Sequence, residues 1–352
     1  MKQYLGYVLS GGLLIALVAL AAIGVFHSDR LQSFTSHPVG IMGTDTALTV
    51  VVRAGETSVA RSALEAAEKT LREMEARASW RMADSEIAHL NAAPAAKIVP
   101  LSVETLVMLR LARDAADATG GAFDVTCRPM IELWKASAQQ GSPPTHQQLT
   151  AARATSSWDQ IILGPAGAEK TTDTACVDLG GIAKGFAADR SAEAMMRLGV
   201  SGGLVAVGGE IRCFGRHDGR QDGWRIGIRN PFDPNSPAML ATLKLAGGGV
   251  STSGNYFRFV EIQGRRYSHI IDPRAGDNCG ATADAVPSVT VVAPDSTTAD
   301  IWATALSVLG PAGLKRLPAG VEAMIVTGGP AGHQQHSSEG FGKLLADENK
   351  GM

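Results

Sequence analysis

Apolar residues recur along the chain with two spacings, and these divide it into helical and extended segments. Apolar side chains at helical spacing predict helices over residues 58–77, 102–119, 183–198 and 296–309. Short apolar runs, most of them bounded by glycine, predict strands over residues 47–52, 161–163, 204–207, 224–228, 240–245, 257–262 and 289–292. Because few helices interrupt the second half, the predicted class is α+β, with mainly antiparallel sheets and flanking helices.

The N-terminus carries an almost uninterrupted apolar run of 20 residues, from Tyr7 to Phe26. Such a run can cross a bilayer of about 30 Å as a helix, and it lacks the polar face of a buried core helix. We expect an uncleaved signal anchor, with a signal peptide cleaved after Ala21 as the alternative. With Lys2 inside, the remainder would lie on the periplasmic side of the bacterial cytoplasmic membrane. No cysteine adjoins the run, so acylation has no acceptor.

Composition restricts the class of partner. Lys plus Arg total 32 against 34 for Asp plus Glu, a formal net charge of −2, so no positive field attracts nucleic acid. The hydrophobic content of 45% is enough for a sizeable core. We expect a signal segment over residues 1–30, one domain over 31–330, and a frayed tail beyond Gly328, assigned to residues 331–352. The four cysteines form no C-x-x-C pair, which excludes a local zinc or thioredoxin-like motif.

The stretch V-D-L-G-G-I-A-K-G, residues 177–185, is the most informative candidate site. It predicts a strand that ends at Asp178, a glycine turn, and a helix that begins beside Lys184. Glycines let a ligand approach the backbone, and a helix N-terminus with a lysine attracts phosphate. The pattern matches neither Walker A nor G-x-G-x-x-G. A tight helix entry with a solvated lysine is the alternative.

Asp300 and Thr304 lie one turn apart on the predicted helix over residues 296–309. A carboxylate and a hydroxyl are hard oxygen ligands, which suit Mg²⁺. The same segment also has the form of a capping box, Thr297-x-x-Asp300, which would explain the aspartate without a metal. Both interpretations stay open on the sequence.

Three further side chains are candidates for ligand contact. His269 ends a short strand before a proline turn, where a loop can present it to a ligand, although a structural, hydrogen-bonded histidine is the alternative. Trp80 and Phe123 can stack on a planar ring, and burial in the core is the alternative for each.

Taken in order, these segments resemble the ApbE family, the FAD:protein FMN transferases once described as thiamine-biosynthesis lipoproteins. The resemblance extends from about Met42 to Val326. Its motifs are M-G-T (42–44), D-S-E-I-A-H-L-N (84–91), G-A-F-D-V-T (121–126) with L-W (133–134), D-L-G-G-I-A-K-G-F-A-A-D (178–189), H-I-I-D-P (269–273) and A-D-x-x-x-T-A (299–305). It implies the family's T-fold-like α+β architecture.

The resemblance also implies roles at the matching positions. Mg²⁺ would be held by the Gly181 carbonyl, Asp300 and Thr304. His269 would assist the transfer as general base, with Asp178 as the alternative. FAD would be bound by Met42, Trp80, Ala122, Phe123, Asp124, Asp178, Lys184 and Ile271. Two positions depart from the family pattern: Trp80 stands where tyrosine is common, and Glu210 stands where Asp or Asn is usual.

The reaction implied by the resemblance is phosphoryl transfer. A threonine or serine hydroxyl of an acceptor redox membrane protein would attack the FMN phosphorus of FAD, and AMP would leave. Mg²⁺ and Lys184 would neutralise charge and align the reacting groups. Two alternatives stay open, a periplasmic FAD-binding carrier and a Mg²⁺-dependent FAD pyrophosphatase that yields FMN and AMP.

Overall fold

The computed structural model describes residues 30–217, 223–254, 259–268, 270–276, 278, 286–330 and 332–346. The N-terminal apolar run and His269 lie outside these ranges. Within them, no helix has the length and apolar content that a membrane span requires.

The helices are α1 (Thr57–Ala78), α2 (Glu86–Ala92), α3 (Val103–Thr119), α4 (Arg128–Gln140), α5 (His146–Ala154), α6 (Ala183–Arg197) and α7 (Ser296–Leu309). The strands are β1 (Leu31–Ser36), β2 (Thr46–Arg53), β3 (Val99–Pro100), β4 (Ile161–Leu163), β5 (Gly167–Lys170), β6 (Gly202–Val207), β7 (Glu210–Gly215), β8 (Trp224–Arg229), β9 (Met239–Leu245), β10 (Gly248–Gly254), β11 (Phe259–Ile262), β12 (Arg265–Ser268), β13 (Ser288–Ala293), β14 (Glu322–Gly329) and β15 (Gly332–Ser337).

An eight-stranded sheet organises the described residues, in the order β1-β2-β6-β7-β10-β13-β14-β15. Every neighbouring pair in it is antiparallel. Smaller sheets are formed by β3-β5-β4, by β8-β9 and by β11-β12. The α+β class with mainly antiparallel sheets is therefore confirmed.

Alternate side chains of the sheet face two different cores. On β2, Val50 and Val52 lie in the larger core, which also contains side chains of α1, α6 and α7. Val51, between them, lies in a second core on the opposite face, because successive side chains of a strand point to opposite sides. The β8–β9 hairpin covers that face and buries Trp224 there. Helices α6 and α7 thus rest on a sheet that is covered on both faces.

Apolar periodicity located the other predicted helices and strands to within about two residues, but the strand predicted to end at Asp178 is wrong, because residues 175–179 form no strand. The helix predicted over residues 102–119 is α3, which is capped by Ser102 and ends at Gly120 in the left-handed conformation. Strands β1, β3, β5, β7, β10 and β14 were not predicted, nor were helices α2, α4 and α5. Most of these strands are short or mix polar residues or glycine with the apolar ones, as in G-G-V-S-T-S-G of β10. Strand β14 does contain a buried apolar run, A-M-I-V, and its pattern was overlooked.

The chain beyond Gly328 differs from the frayed tail that the sequence suggested. Strand β15 pairs with β14 from Met324↔Ser337 to Gly329↔Gly332, and Phe341 is 1% exposed in the second core. The sequence of β15, G-H-Q-Q-H-S, has no apolar pattern because an edge strand is held by backbone hydrogen bonds. Residues 332–346 are therefore part of the domain.

Candidate active site

Helices α6 and α7 begin side by side, and each supplies a carboxylate to the first turn of the other. Asp189 on α6 accepts the N–H groups of Ser296 and Thr297 at 2.9 and 2.8 Å, and the Thr297 hydroxyl at 2.6 Å. Asp300 on α7 accepts the Gly185 N–H at 3.0 Å. Helix N-termini present unpaired N–H groups and the positive end of the helix dipole. The two carboxylates therefore hold the N-terminal ends of α6 and α7 together.

The capping-box interpretation of Thr297 and Asp300 is wrong. The N-cap of α7 is Asp295, whose carboxylate accepts the Thr298 N–H at 2.7 Å. Asp300 therefore lies in the second turn, beyond the reach of its own N-cap, and it caps α6 instead. Sequence reasoning failed here because two aspartates flank the segment and only the fold decides which one caps α7.

Close backbone packing brings the predicted metal residues together. A Cβ on Gly185 would lie 2.3 Å from the Ser296 carbonyl oxygen and 2.8 Å from the Asp300 Cβ, so only glycine fits there. A Cβ on Gly181 would lie 3.1 Å from the Thr304 Oγ1. The three predicted metal residues thus converge where α6 begins. Gly181 lies just before α6, and Asp300 and Thr304 lie one turn apart on α7.

Lys184, the second residue of α6, lies among acidic groups. Its Nζ is 3.0 Å from Glu210 Oε1 and 3.8 Å from Asp300 Oδ2, and it donates to the Gly180 carbonyl at 3.4 Å. The side chain is only 22% exposed. The alternative of a solvated lysine is therefore wrong, and the ammonium bridges two carboxylates.

The N-terminus of α6 is less open to an anion than its sequence suggested. The Ala183 N–H donates to the Leu179 carbonyl at 2.8 Å, and the Gly185 N–H donates to Asp300. Backbone N–H groups of the first turn are the usual phosphate donors at a helix start. Because these two are used within the protein, attraction of a phosphate depends mainly on the Lys184 ammonium.

Glu210 is the functional candidate whose role the sequence did not reveal. It begins β7 after the Gly208-Gly209 turn and is 5% exposed. Burial raises its pKa to about 7, opposed by Lys184 and reinforced by Asp300. Its Oε2 is buried and has no hydrogen-bond partner among the described residues. The departure from the family's Asp or Asn at this position was its sole signal in the sequence.

The donor set fits a hard divalent cation. Burial also raises the pKa of Asp300, while Lys184 and the Gly185 N–H oppose that effect. Two buried carboxylates thus share one ammonium, and unpaired buried charge is costly. Within the described ranges no group of three His, Cys, Asp or Glu side chains could hold a metal. A cation held here would also need carbonyl and hydroxyl oxygens, and the Gly181 carbonyl and the Thr304 hydroxyl are the candidates.

The segment with Ala122, Phe123 and Asp124 runs beside the same turn. The Asp178 N–H donates to the Val125 carbonyl at 2.8 Å, and Asp178 Oδ1 accepts the Gly180 N–H at 2.9 Å. Phe123 is 2% exposed in the larger core, which supports the burial alternative over ring stacking.

Asp124 is held by hydrogen bonds with its own loop. It accepts the N–H and hydroxyl of Thr126 at 2.8 and 2.7 Å. Burial raises the pKa of Asp124, which these bonds oppose.

The remaining predicted FAD residues lie in other surroundings. Trp80 is half-buried beneath cations: the Arg128 Cζ lies 3.6 Å from the ring centroid and the Arg81 Cζ 4.4 Å from it. Met42 has a left-handed φ of 48° and packs on the larger core. Ile271 is buried in a separate cluster beside α4. Arg128 was not singled out in the sequence, because cation–π stacking leaves no local pattern.

Comparisons with known proteins identify the family of the chain. A profile of the ApbE family matches residues 42–325. The FAD:protein FMN transferase of Klebsiella pneumoniae strain 342 is 32% identical over 279 residues, covering 78% of this chain and 75% of that protein. The FAD:protein FMN transferase of Vibrio cholerae serotype O1 is 30% identical over 301 residues, 84% of this chain and 87% of that protein. The crystal structure of the ApbE protein of Thermotoga maritima superposes with a TM-score of 0.77 at 26% identity, over 90% of this chain and 100% of that one. The chain is therefore an enzyme of the ApbE family.

Proposed function

We propose that this enzyme transfers FMN from FAD to a threonine or serine hydroxyl of an acceptor protein, with Mg²⁺ bound and with release of AMP. The observation that carries the proposal is the convergence of Gly181, Asp300 and Thr304 beside the Lys184 ammonium. The curated relatives named FAD:protein FMN transferases support the reaction class.

Phosphoryl transfer requires alignment and charge neutralisation more than covalent help from the protein. Mg²⁺, held by the Gly181 carbonyl, Asp300 and Thr304, would supply a Lewis acid for phosphate oxygens. The Lys184 ammonium adds a second positive charge at the same place. The Gly180-Gly181 turn removes side chains from the approach, so a ligand phosphate can come close to the backbone.

A general base must take the proton of the acceptor hydroxyl, and such a base typically contributes about 10²–10⁴-fold to the rate. His269 is the proposed base. Asp178 is the substitute, but its Oδ1 already accepts the Gly180 N–H at 2.9 Å.

The proposed setting is the periplasmic face of the cytoplasmic membrane, with a redox membrane protein as the acceptor. The apolar run of residues 7–26 motivates this placement. Cell fractionation tests it: the full chain should stay with the membranes and be digested by protease added outside. Recovery in a periplasmic extract, with an N-terminus just after Ala21, would establish cleavage instead.

Product analysis tests the reaction against its alternatives. The full chain, FAD and Mg²⁺ are incubated with a threonine-bearing acceptor domain, and the flavin is traced. The proposal predicts flavin bound covalently to the acceptor. Flavin that only co-purifies with the enzyme would indicate a carrier, and free FMN with AMP would indicate a pyrophosphatase.

A further inference from the structure

In the part of the chain that the structure describes, two carboxylates at the proposed cation site face one ammonium. Glu210 and Asp300 both face Lys184, with Nζ at 3.0 Å from Glu210 Oε1 and 3.8 Å from Asp300 Oδ2. Both carboxylates are almost fully buried, at 6% and 2% side-chain exposure. Glu210 Oε2 has no hydrogen-bond partner in the described part of the chain.

The turn before β7 leaves Glu210 little freedom to move away. A Cβ on Gly209 would lie 2.6 Å from the Thr252 carbonyl oxygen, and one on Gly208 would lie 2.6 Å from the Thr44 Oγ1. The Gly208 N–H also donates to the Asp45 carbonyl at 2.8 Å. The backbone at the start of β7 is therefore held in place and the Glu210 side chain is buried, while the long Lys184 side chain can reorient.

We propose that Glu210 is a positioning residue that holds the Lys184 ammonium at the cation site until the divalent cation displaces it. Lys184 then acts as a stand-in counter-ion in the metal-free enzyme. The inference rests on the proposed function, because it concerns the same Mg²⁺ site.

Electrostatic repulsion favours replacement of the Lys184 ammonium by the divalent cation over binding of both cations at Asp300. A divalent cation at Asp300 would repel an ammonium that lies 3.8 Å from the same carboxylate. Displacement turns the ammonium toward the entering phosphate, where the proposed reaction needs it. Asp300 exchanges the ammonium for the divalent cation, while Glu210 keeps its attraction for the displaced ammonium and adds negative charge beside the cation. The site would then bind the metal and release the lysine in one step.

The exchange predicts opposite effects for two substitutions. Lys184→Gln removes the competing cation, so Mg²⁺ should bind about fivefold to tenfold more tightly, the usual range for coupled sites. Glu210→Gln removes a negative charge that attracts a divalent cation twice as strongly as an ammonium at the same distance. This loss outweighs the weaker hold on Lys184, so Mg²⁺ should bind about tenfold more weakly. Glu193→Gln is the matched control on α6, because Glu193 pairs with Arg190 at an exposed position.

The experiment titrates the full chain with Mg²⁺ alone at pH 8, without FAD, by calorimetry, and records the unfolding temperature in EDTA and in Mg²⁺. Lys184→Gln should unfold earlier than wild type in EDTA and regain most of that loss in Mg²⁺. A purely structural ion pair would lower the unfolding temperature equally in both conditions and would leave the Mg²⁺ affinity unchanged.

The outcomes separate this inference from the proposed function. If wild type binds Mg²⁺ and Asp300→Asn weakens that binding, but Lys184→Gln does not strengthen it, the exchange is refuted and the metal site stands. If wild type binds no Mg²⁺, both fail. Lys184→Gln alters a partly exposed side chain, so the test remains decisive even if Glu210→Gln fails to fold.

Discussion

The reciprocal caps of α6 and α7 allow two matched substitutions to separate catalysis from stability. Asp300→Asn and Asp189→Asn each replace a buried carboxylate at a helix N-terminus by an amide of the same shape. Only Asp300 faces Lys184 and the predicted metal ligands. Asp300→Asn should therefore abolish transfer, whereas Asp189→Asn should reduce stability and leave transfer intact.

The contacts of each aspartate determine how much its substitution should change the free energy of unfolding. In Asp300→Asn the amide oxygen still accepts the Gly185 N–H, and the lost attraction to Lys184 is offset by the smaller cost of burying a neutral group. The free energy of unfolding should change by no more than about 1 kcal/mol. Asp189 accepts three hydrogen bonds through both oxygens, and an amide can keep only those to one oxygen. Asp189→Asn should cost about 2–4 kcal/mol.

The assay measures covalent flavin incorporation against Mg²⁺ concentration, beside denaturant unfolding of the same samples. Asp300→Asn should lose about 10²-fold or more in rate at low Mg²⁺, as removal of a transition-state electrostatic group does. Part of the rate should return at high Mg²⁺, because a weakened site refills by mass action.

Two results would refute this reasoning. Full transfer activity of Asp300→Asn at low Mg²⁺ would show that Asp300 does not bind the metal and only caps α6. Equal inactivity of Asp189→Asn, at a temperature where it is folded, would show that the helix junction and not the charge controls the rate.

Further substitutions probe the same site. Thr304→Val should weaken the response of the transfer rate to Mg²⁺ about tenfold with little change in unfolding temperature, because it removes one hydroxyl at nearly constant volume; an unchanged Mg²⁺ response would exclude that ligand. Gly185→Ala should lower stability by a few kcal/mol in denaturant unfolding, since its Cβ would lie 2.3 Å from a carbonyl oxygen. His269→Ala should reduce the transfer rate by about 10²–10⁴-fold while the unfolding temperature stays constant. A normal transfer rate would show that His269 is not the general base and would leave Asp178 as the candidate. In EDTA the free energy of unfolding should fall as pH rises from 4.5 through about 7, because burial raises the pKa of Glu210 across that window; Glu210→Gln should lack this part of the slope in denaturant titrations.

Local patterns predicted α1, α3, α6, α7 and the most apolar strands, because their burial follows from side chains next to one another in sequence. Helices α2, α4 and α5 bury three side chains or fewer each and were not predicted. Strand β13, in which every residue is buried, is such a case. Strand β15 was missed because its partner β14 supplies the hydrogen bonds that hold it, and nothing in its own sequence reports that partner.

The site shows the same division. Gly181, Asp300 and Thr304 were predicted, and the structure brings them together. The sequence left open a solvated Lys184, and it could not reveal the ion pair that excludes this alternative, because the acidic partner begins a strand 26 positions later in the chain. The hydrogen bond from the Ser296 N–H to Asp189, which links α7 to α6, joins residues 107 positions apart in the chain. Long-range pairing of charges leaves no periodic signal, so sequence reasoning could not supply it.

The central claim, transfer of FMN from FAD to a protein hydroxyl, is tested most directly by one stoichiometric measurement. The purified full chain is given FAD, Mg²⁺ and a threonine-bearing acceptor domain, and intact-mass spectrometry of the acceptor is recorded while AMP is counted. The account predicts one covalent FMN on the acceptor for each AMP released, and neither product in EDTA. AMP released with free FMN and an unmodified acceptor would contradict it.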